Sequence, residues 1–497
     1  MILTLTATDF GAISPLLILL GGALVILALE SFVKEAAAAL LALMAFLTIS
    51  AATAASFFCL SSDNTLLSNW LRFDSMTHWL TLFFLAIGLA VTLLSATFFE
   101  RFVASRGEYF FLLLCSLIGL ILMAQAADFL ILFLGIETLS ISLYILCGYM
   151  KNWNKSHEAA FKYFLMGSVA SAFLLYGIAL VYGALGTTRL DALLSGYQNL
   201  NTSADQTLFL SGIALITLSL AFKATIVPFH IWAPDVYSGA PTPITAFMAV
   251  GTKVGVFAVF MRIFLQALPN FTYLWSYAIA ALAILTLLYA NIVALRQFQL
   301  RRFFAYSGMS HAGFLLLPLA AGMPEAQSSM IFYLMIYGLA TFGCFAILAI
   351  VDSGEEETVI TDLRGLFHRD PLSGLAFTVC LLNLAGIPPM AGFLAKFYLF
   401  KVTFEAGYQV LVIIALLSTI LSAAYYLRII STIFLPAFGD HKLVRSRPAT
   451  VLACTAVFCL VLISFYPVRV PFVAIGAPTI AHVEAPLTKE VAVESEG

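Results

Sequence analysis

Five ionisable residues sit deep inside apolar stretches of this sequence. They are Glu137 in LFLGIETLSISLY, Lys223 in LAFKATIVPFHIW, Lys253 in FMAVGTKVGVF, His311 in YSGMSHAGF, and Lys396 just after LAGIPPMAGF. A charge at the centre of a bilayer costs about 3 kcal/mol or more, so such residues are rare and usually functional. The chemistry they suit is proton transfer. A lysine buried alone binds its proton less tightly, and a nearby carboxylate reverses that. Opposite charges 4 Å apart interact by about 4 kcal/mol at an effective dielectric of 20. A lysine whose carboxylate partner moves can therefore switch between holding and releasing a proton. Glu137 and Lys223 form the candidate pair, Lys253 the central station and Lys396 the terminal one. His230 and His311 titrate near neutrality by nature and could bridge the stations through water.

Each residue also has a plainer reading. Glu137, Lys223 and Lys253 could be structural ion pairs, although the spans hold more bases than acids. His230 lies between Pro228 and Trp232 and could simply hydrogen-bond a broken helix. Glu158 and Lys162 stand four apart on one helix face, as a surface pair or as a tuner of the deeper charges. Tyr306 and Tyr426 could orient water or merely pack, and Arg428 reads as a snorkelling or structural charge.

The elements that must carry these residues are membrane helices. Of 497 residues, 62% are hydrophobic and 10% charged, against roughly 25% charged in soluble proteins. The mean hydropathy is +1.02. These values exclude a soluble enzyme, a nucleic-acid binder and a disordered chain, and the net charge of −2 gives nucleic acid nothing to bind. Apolar runs of about 20 residues occur at 14–33, 36–60, 77–99, 109–126, 128–150, 159–185, 207–227, 241–267, 273–295, 302–322, 327–351, 371–401, 408–436 and 449–473. The fold class expected is all-α, a polytopic membrane protein of about fourteen transmembrane helices.

Two spans are interrupted. The seventh carries Lys223 and then meets Pro228, His230, Pro234, Pro241 and Pro243, while the twelfth contains Gly386-Ile387-Pro388-Pro389, Gly392 and Lys396. Such breaks survive at membrane depth only where protein or a watery cavity satisfies the freed backbone. Paired breaks mark the functional centre of many transporters. One offset relates Lys223 to Lys396 and carries Glu137 to the neighbour of His311. This suggests two inverted five-helix repeats, 109–267 and 268–436, after peripheral helices in 1–108 and before a last helix and tail in 437–497.

Alternating sides along the chain puts fourteen Lys and Arg on one face and six on the other, so both termini are expected on the outer face. The first run lacks a basic n-region and is read as a retained helix. Glu355–Glu357 form an acidic loop, solvated or a docking surface. Seven cysteines are scattered without CxxC or Cys/His spacing, and no GxGxxG or Walker loop occurs. Iron–sulfur, haem c, zinc and nucleotide sites therefore lack their usual ligands.

IETLSISLY around Glu137, FKATIVPFHIWAPDVYSGAPTPITAF from Phe222 to Phe247, GTK at Lys253 and LAGIPPMAGFLAKFYLF around Lys396 resemble the subunit N branch of a known family. These are the antiporter-like membrane subunits of proton-pumping NADH-quinone oxidoreductase, respiratory complex I. The resemblance covers nearly the whole chain and implies fourteen helices with inverted repeats and breaks in the seventh and twelfth. It implies a conserved relay at Glu137, Lys223, Lys253 and Lys396, with His230, Tyr306, His311, Glu158 and Lys162 at further polar positions. Lysine at 396 separates it from the sibling subunit M, which carries glutamate there. It implies no redox centre in this chain. FMN, iron–sulfur clusters, NADH and quinone are expected in partner subunits of a bacterial inner-membrane complex. Two other readings stay open: a subunit of a multi-subunit sodium/proton antiporter, and a structural membrane scaffold.

Overall fold

The computed structural model describes residues 7–32, 38–58, 66–102, 107–352, 354, 358–436 and 447–465. The acidic stretch Glu355–Glu357 and the tail beyond Phe465 lie outside the described residues.

The described chain is a bundle of helices: α1 (Ala7–Phe32), α2 (Ala38–Phe58), α3 (Ser75–Arg101), α4 (Gly107–Gln125), α5 (Phe129–Cys147), α6 (Asn154–Leu185), α7 (Ser203–Lys223) and the short α8 (Ala233–Gly239). Then come α9 (Thr242–Ala267), α10 (Thr272–Ala294), α11 (Leu300–Ala321), α12 (Ala326–Val351), α13 (Pro371–Ala385), α14 (Ala391–Glu405), α15 (Gln409–Phe434) and α16 (Arg447–Phe465). Among the described residues, thirteen helices are long and apolar enough to cross a membrane.

The twelfth span expected from the sequence is the pair α13 and α14, of 15 residues each. At 1.5 Å per residue each is about 22 Å long, short of the ~30 Å hydrocarbon core. Gly386, with φ of +77°, ends α13, and Pro388-Pro389 prevents the helix from resuming at once. The seventh span breaks where Lys223 ends α7, and Thr225 follows with φ of +61°. A β-branched residue in that region is strained. Not every proline breaks a helix: Pro15 and Pro318 lie inside α1 and α11.

The bundle is layered around α9. Of its residues Thr242 to Ala267, only Leu265 and Gln266 are even partly exposed. Two π-helical stretches, Met248–Thr252 and Met261–Ala267, flank the α-helical segment that Lys253 opens. Helices α11 and α12 are also largely buried, whereas α1, α2 and α16 present Leu, Val and Phe outward. Small residues allow close helix crossings, as is usual in membranes. A Cβ on Gly119 of α4 would sit 2.6 Å from the Leu139 nitrogen of α5.

Short backbone bridges tie the loops. Leu71 pairs with Ala126 and Asp128 with Arg189, and Gln299 pairs with Val359. Thus the turn before α5 pairs with the segment after α6, and the turn before α11 pairs with the segment after α12.

Candidate functional site

Glu137 lies on α5, half-buried, and accepts a hydrogen bond from the Ser171 hydroxyl of α6. One turn further along α5, Ser140 accepts from Lys223 Nζ at 2.7 Å. Glu137 and Lys223 therefore flank one turn of α5, and no ion pair joins them among the described residues. The break after α7 explains the placement. Lys223 is the last residue of the helix and 7% exposed, so its side chain turns inward rather than to the membrane surface. His230, in the turn between α7 and α8, is buried with its ring edge-on to Tyr289 at 4.6 Å. Its Nδ1 has no hydrogen-bond partner in the protein.

Lys253 is completely buried. Its Nζ donates to the Tyr237 hydroxyl of α8 at 3.3 Å. A Cβ on Gly308 of α11 would stand 3.0 Å from that Nζ and 3.2 Å from the Tyr337 hydroxyl, so the ammonium occupies room that only a glycine leaves. The Tyr337 ring packs against His311 with centroids 4.8 Å apart.

His311 is held on both nitrogens. Nδ1 lies 2.6 Å from the Tyr333 hydroxyl and Nε2 lies 3.1 Å from that of Tyr426, which also pairs with Ser307. A cavity of about 10 Å³ separates His311 from Lys396 and is lined also by Tyr333, Tyr337 and Asn383. That is room for about one water. Lys396, on α14, donates to the carbonyl of Ala385 at 2.9 Å and lies over the Phe314 ring. Lys253, His311 and Lys396 are thus neighbours in one polar string. No side-chain hydrogen bond joins Lys223 to Lys253 among the described residues.

Glu158 and Lys162 pair at 2.6 Å near the start of α6. Lys162 also pairs at 2.7 Å with Asp235 of α8, and Asp235 pairs at 2.6 Å with Arg302 of α11. Tyr306 is half-buried one turn along α11 from Arg302. Asp235 was missed from the sequence because a charge beside a proline at a span end reads as loop.

Two further clusters were also missed. Arg262, 1% exposed, pairs with Asp74, the N-cap of α3. Arg301 pairs with Asp352 at 2.5 Å, both buried, and Thr242 donates to the same carboxylate. In the sequence, Arg262 and Arg301 count as loop charges on opposite faces. In the structure they bolt the two ends of α9 to its neighbours. Arg428 donates to the carbonyls of Leu295 and Gln297, each at 2.7 Å, and so closes the end of α10. No group of three His, Cys, Asp or Glu that could hold a metal occurs among the described residues.

A family model described as NADH:quinone oxidoreductase/Mrp antiporter, TM, matches residues 126–422. NADH-quinone oxidoreductase subunit N of Protochlamydia amoebophila is 57% identical over 465 residues, covering 93% of this chain and 97% of that one. The chain belongs to the NADH-quinone oxidoreductase subunit N family. A subunit N from Chloroherpeton thalassium is 36% identical over 92% of this chain and 96% of its own length. Among solved structures, a chain of respiratory complex I from Thermus thermophilus with bound aureothin superposes with a TM-score of 0.79. It is 30% identical, covering 93% of this chain and 99% of that chain. A chain of the Mrp complex from Dietzia sp. reaches a TM-score of 0.77 at 20% identity, covering 92% and 94%, a likeness of fold alone. In this subunit N, Lys253, His311 and Lys396 form a polar string along α9, α11 and α14.

Proposed function

We propose that this chain is a proton-translocating membrane subunit of NADH-quinone oxidoreductase, and that Glu137, Lys223, Lys253, His311 and Lys396 carry the proton. One observation carries the reading. Lys223, Lys253 and Lys396 are buried, and each donates to a neutral oxygen: the Ser140 hydroxyl, the Tyr237 hydroxyl and the Ala385 carbonyl. None forms an ion pair within 4 Å among the described residues. Arg262, Arg301 and Lys162, by contrast, are all matched to carboxylates. The buried arginines that fasten α9, Arg262 and Arg301, are each paired with a carboxylate, while Arg428, which closes α10 through backbone carbonyls, is only half-buried. An ammonium buried without a counter-charge is costly to maintain, which suits a group that must exchange protons and not one that fastens.

Protons pass between Lys253 and Lys396 by way of His311, the hydroxyls around it and water in the cavity beside it. Glu137 tunes Lys223 across one turn of α5. His230, Tyr306, Glu158 and Lys162 support this axis, the last two through Asp235. The driving force comes from quinone reduction in partner subunits, which hold the FMN and iron–sulfur clusters, and this chain holds no cofactor of its own. The complex sits in a bacterial inner membrane with both termini of this chain outside. The residues divide into two inverted units, 109–267 and 268–436. The matching loop bridges before α5 and before α11 support that division.

The test is Lys223→Ala in the assembled complex, with proton pumping and NADH–quinone turnover measured in membrane vesicles and assembly checked by immunoblot. Collapse of both in an assembled complex is the expected result. Wild-type values for both would make Lys223 structural and favour the scaffold reading.

A further inference from the structure

Two cavities meet at Asp74. One, of about 240 Å³, lies among α1, α2, α3 and the end of α4, with Ser56, Asp74, Thr77, His78, Thr81 and Gln125 in its wall. The other, of about 330 Å³, lies under the bridged loops, with Ser68, Asn69, Arg72, Asp74, Arg189 and Asp191 in its wall. The larger groove between α7 and α10, about 490 Å³, is walled almost wholly by apolar side chains.

The first cavity reaches into the span. Thr81 stands about 10 Å along α3 from Asp74. Thr81 and Gln125 are each 4% exposed, and Thr81 Oγ1 and Gln125 Oε1 have no hydrogen-bond partner in the protein. An unmet acceptor at that depth costs about 1–3 kcal/mol, and buried groups of this kind usually mark ordered water. The cavity presents these polar side chains within a mainly apolar wall and is far larger than the ~15 Å³ that one water needs.

Asp74, in the wall of both cavities, is ion-paired to Arg262 of the central helix. Arg262 Nη2 donates to Asp74 Oδ1 at 2.9 Å, Nε donates to the Ala124 carbonyl at 3.1 Å, and Nη1 donates to Gln266 at 2.8 Å. Burial alone would raise the Asp74 carboxyl. The charge and hydrogen bonds of Arg262, with those from Thr77, outweigh it and hold the group well below the usual carboxylate range. Asp74 therefore stays ionised and anchors Arg262 rather than ferrying protons. Arg262 lies on α9, about 14 Å along the helix from Lys253.

The geometry points to a water-filled vestibule that opens on the face of the Leu71, Ala126 and Arg189 loops, passes the Asp74–Arg262 pair, reaches Thr81 inside the span, and supplies the water through which the Lys253 helix exchanges protons with that face. The hydration stands on the cavities and the unmet acceptors. Only its use for proton exchange rests on the function proposed above.

The test uses Thr81→Cys in the intact complex, in vesicles of known orientation, with a charged, membrane-impermeant thiosulfonate. Labelling is followed by mass spectrometry, with unsubstituted complex giving the background from native cysteines. Leu134→Cys, at a side chain 54% exposed on the outer face of the apolar helix α5, is the control. Ser56→Cys, on α2 in the same wall, replaces Thr81→Cys should that variant not assemble. The expected result is labelling several-fold faster than Leu134→Cys, from the loop face only, with NADH–quinone turnover falling several-fold once labelled. Labelling no faster than the control overturns the vestibule. Complete labelling with unchanged turnover overturns its role in proton exchange while leaving the lysine relay intact. Loss of pumping in Lys223→Ala tests that relay separately.

Discussion

Lys396 Nζ donates a 2.9 Å hydrogen bond to the carbonyl of Ala385, which lies on the other side of the break in the twelfth span. The last carbonyls of α13 carry the negative end of its dipole, so the ammonium sits where a helix favours positive charge. The same ammonium lies 4.7 Å from the centroid of the Phe314 ring. The break thus provides both the site for the charge and the route by which a proton change on Lys396 would loosen or tighten the helix end.

Gly386→Ala tests that coupling. A Cβ there would stand 2.8 Å from Lys396 Cδ, at a φ of +77° that alanine adopts poorly. We expect the variant to assemble and to lose turnover several-fold, the same outcome we expect for Lys396→Ala. Normal turnover would show that the lysine does not depend on this helix end.

The hollow beside Lys253 gives a second prediction. Gly308→Val would place methyl groups where the Lys253 ammonium and the Tyr337 hydroxyl now approach to 3.0 and 3.2 Å of a Cβ. Over-packing of this kind typically costs about 1–3 kcal/mol. The expected outcome is an assembled complex in which pumping and turnover both fall severely, while Gly308→Ala is milder. Vesicle pumping assays on both variants read this directly.

Much of this site was legible in the sequence because an apolar background makes a buried charge conspicuous. Glu137, Lys223, Lys253, His311 and Lys396 each interrupt a long hydrophobic run, and the Pro and Gly clusters after Lys223 and before Lys396 announced both breaks. Asp74, Asp235 and Asp352 were not legible. Each lies at a span end, where charges are ordinary, and each earns its role from a distant partner. Asp74 and Arg262 are 188 residues apart, and Asp352 and Arg301 are 51 apart. Nor does composition foretell the π-helical stretches of α9. Met248–Thr252 reads as ordinary helix, and its wider turn is set by packing on all sides.

The carboxylates should separate by burial. Asp352 is paired with Arg301 at exposures of 2% and 5%, so Asp352→Ala leaves a buried guanidinium uncompensated. Losses of this type run to about 3–5 kcal/mol. Subunit abundance in membranes, read by immunoblot, should fall sharply. The Asp235 pairs are more than a third exposed, and such pairs are worth about 1 kcal/mol at most. Asp235→Asn should assemble normally.

If the fully buried Lys253 of α9 carries protons, the complex needs its ammonium and not merely its apolar stem. Lys253→Met keeps the apolar stem and removes the ammonium, so it tests that need with least disturbance to packing. Proton pumping and NADH–quinone turnover would be measured together in vesicles carrying the assembled variant complex. Both are expected to collapse while subunit abundance holds. Pumping at the wild-type ratio of protons to NADH oxidised, in an assembled Lys253→Met complex, would contradict proton carriage by Lys253.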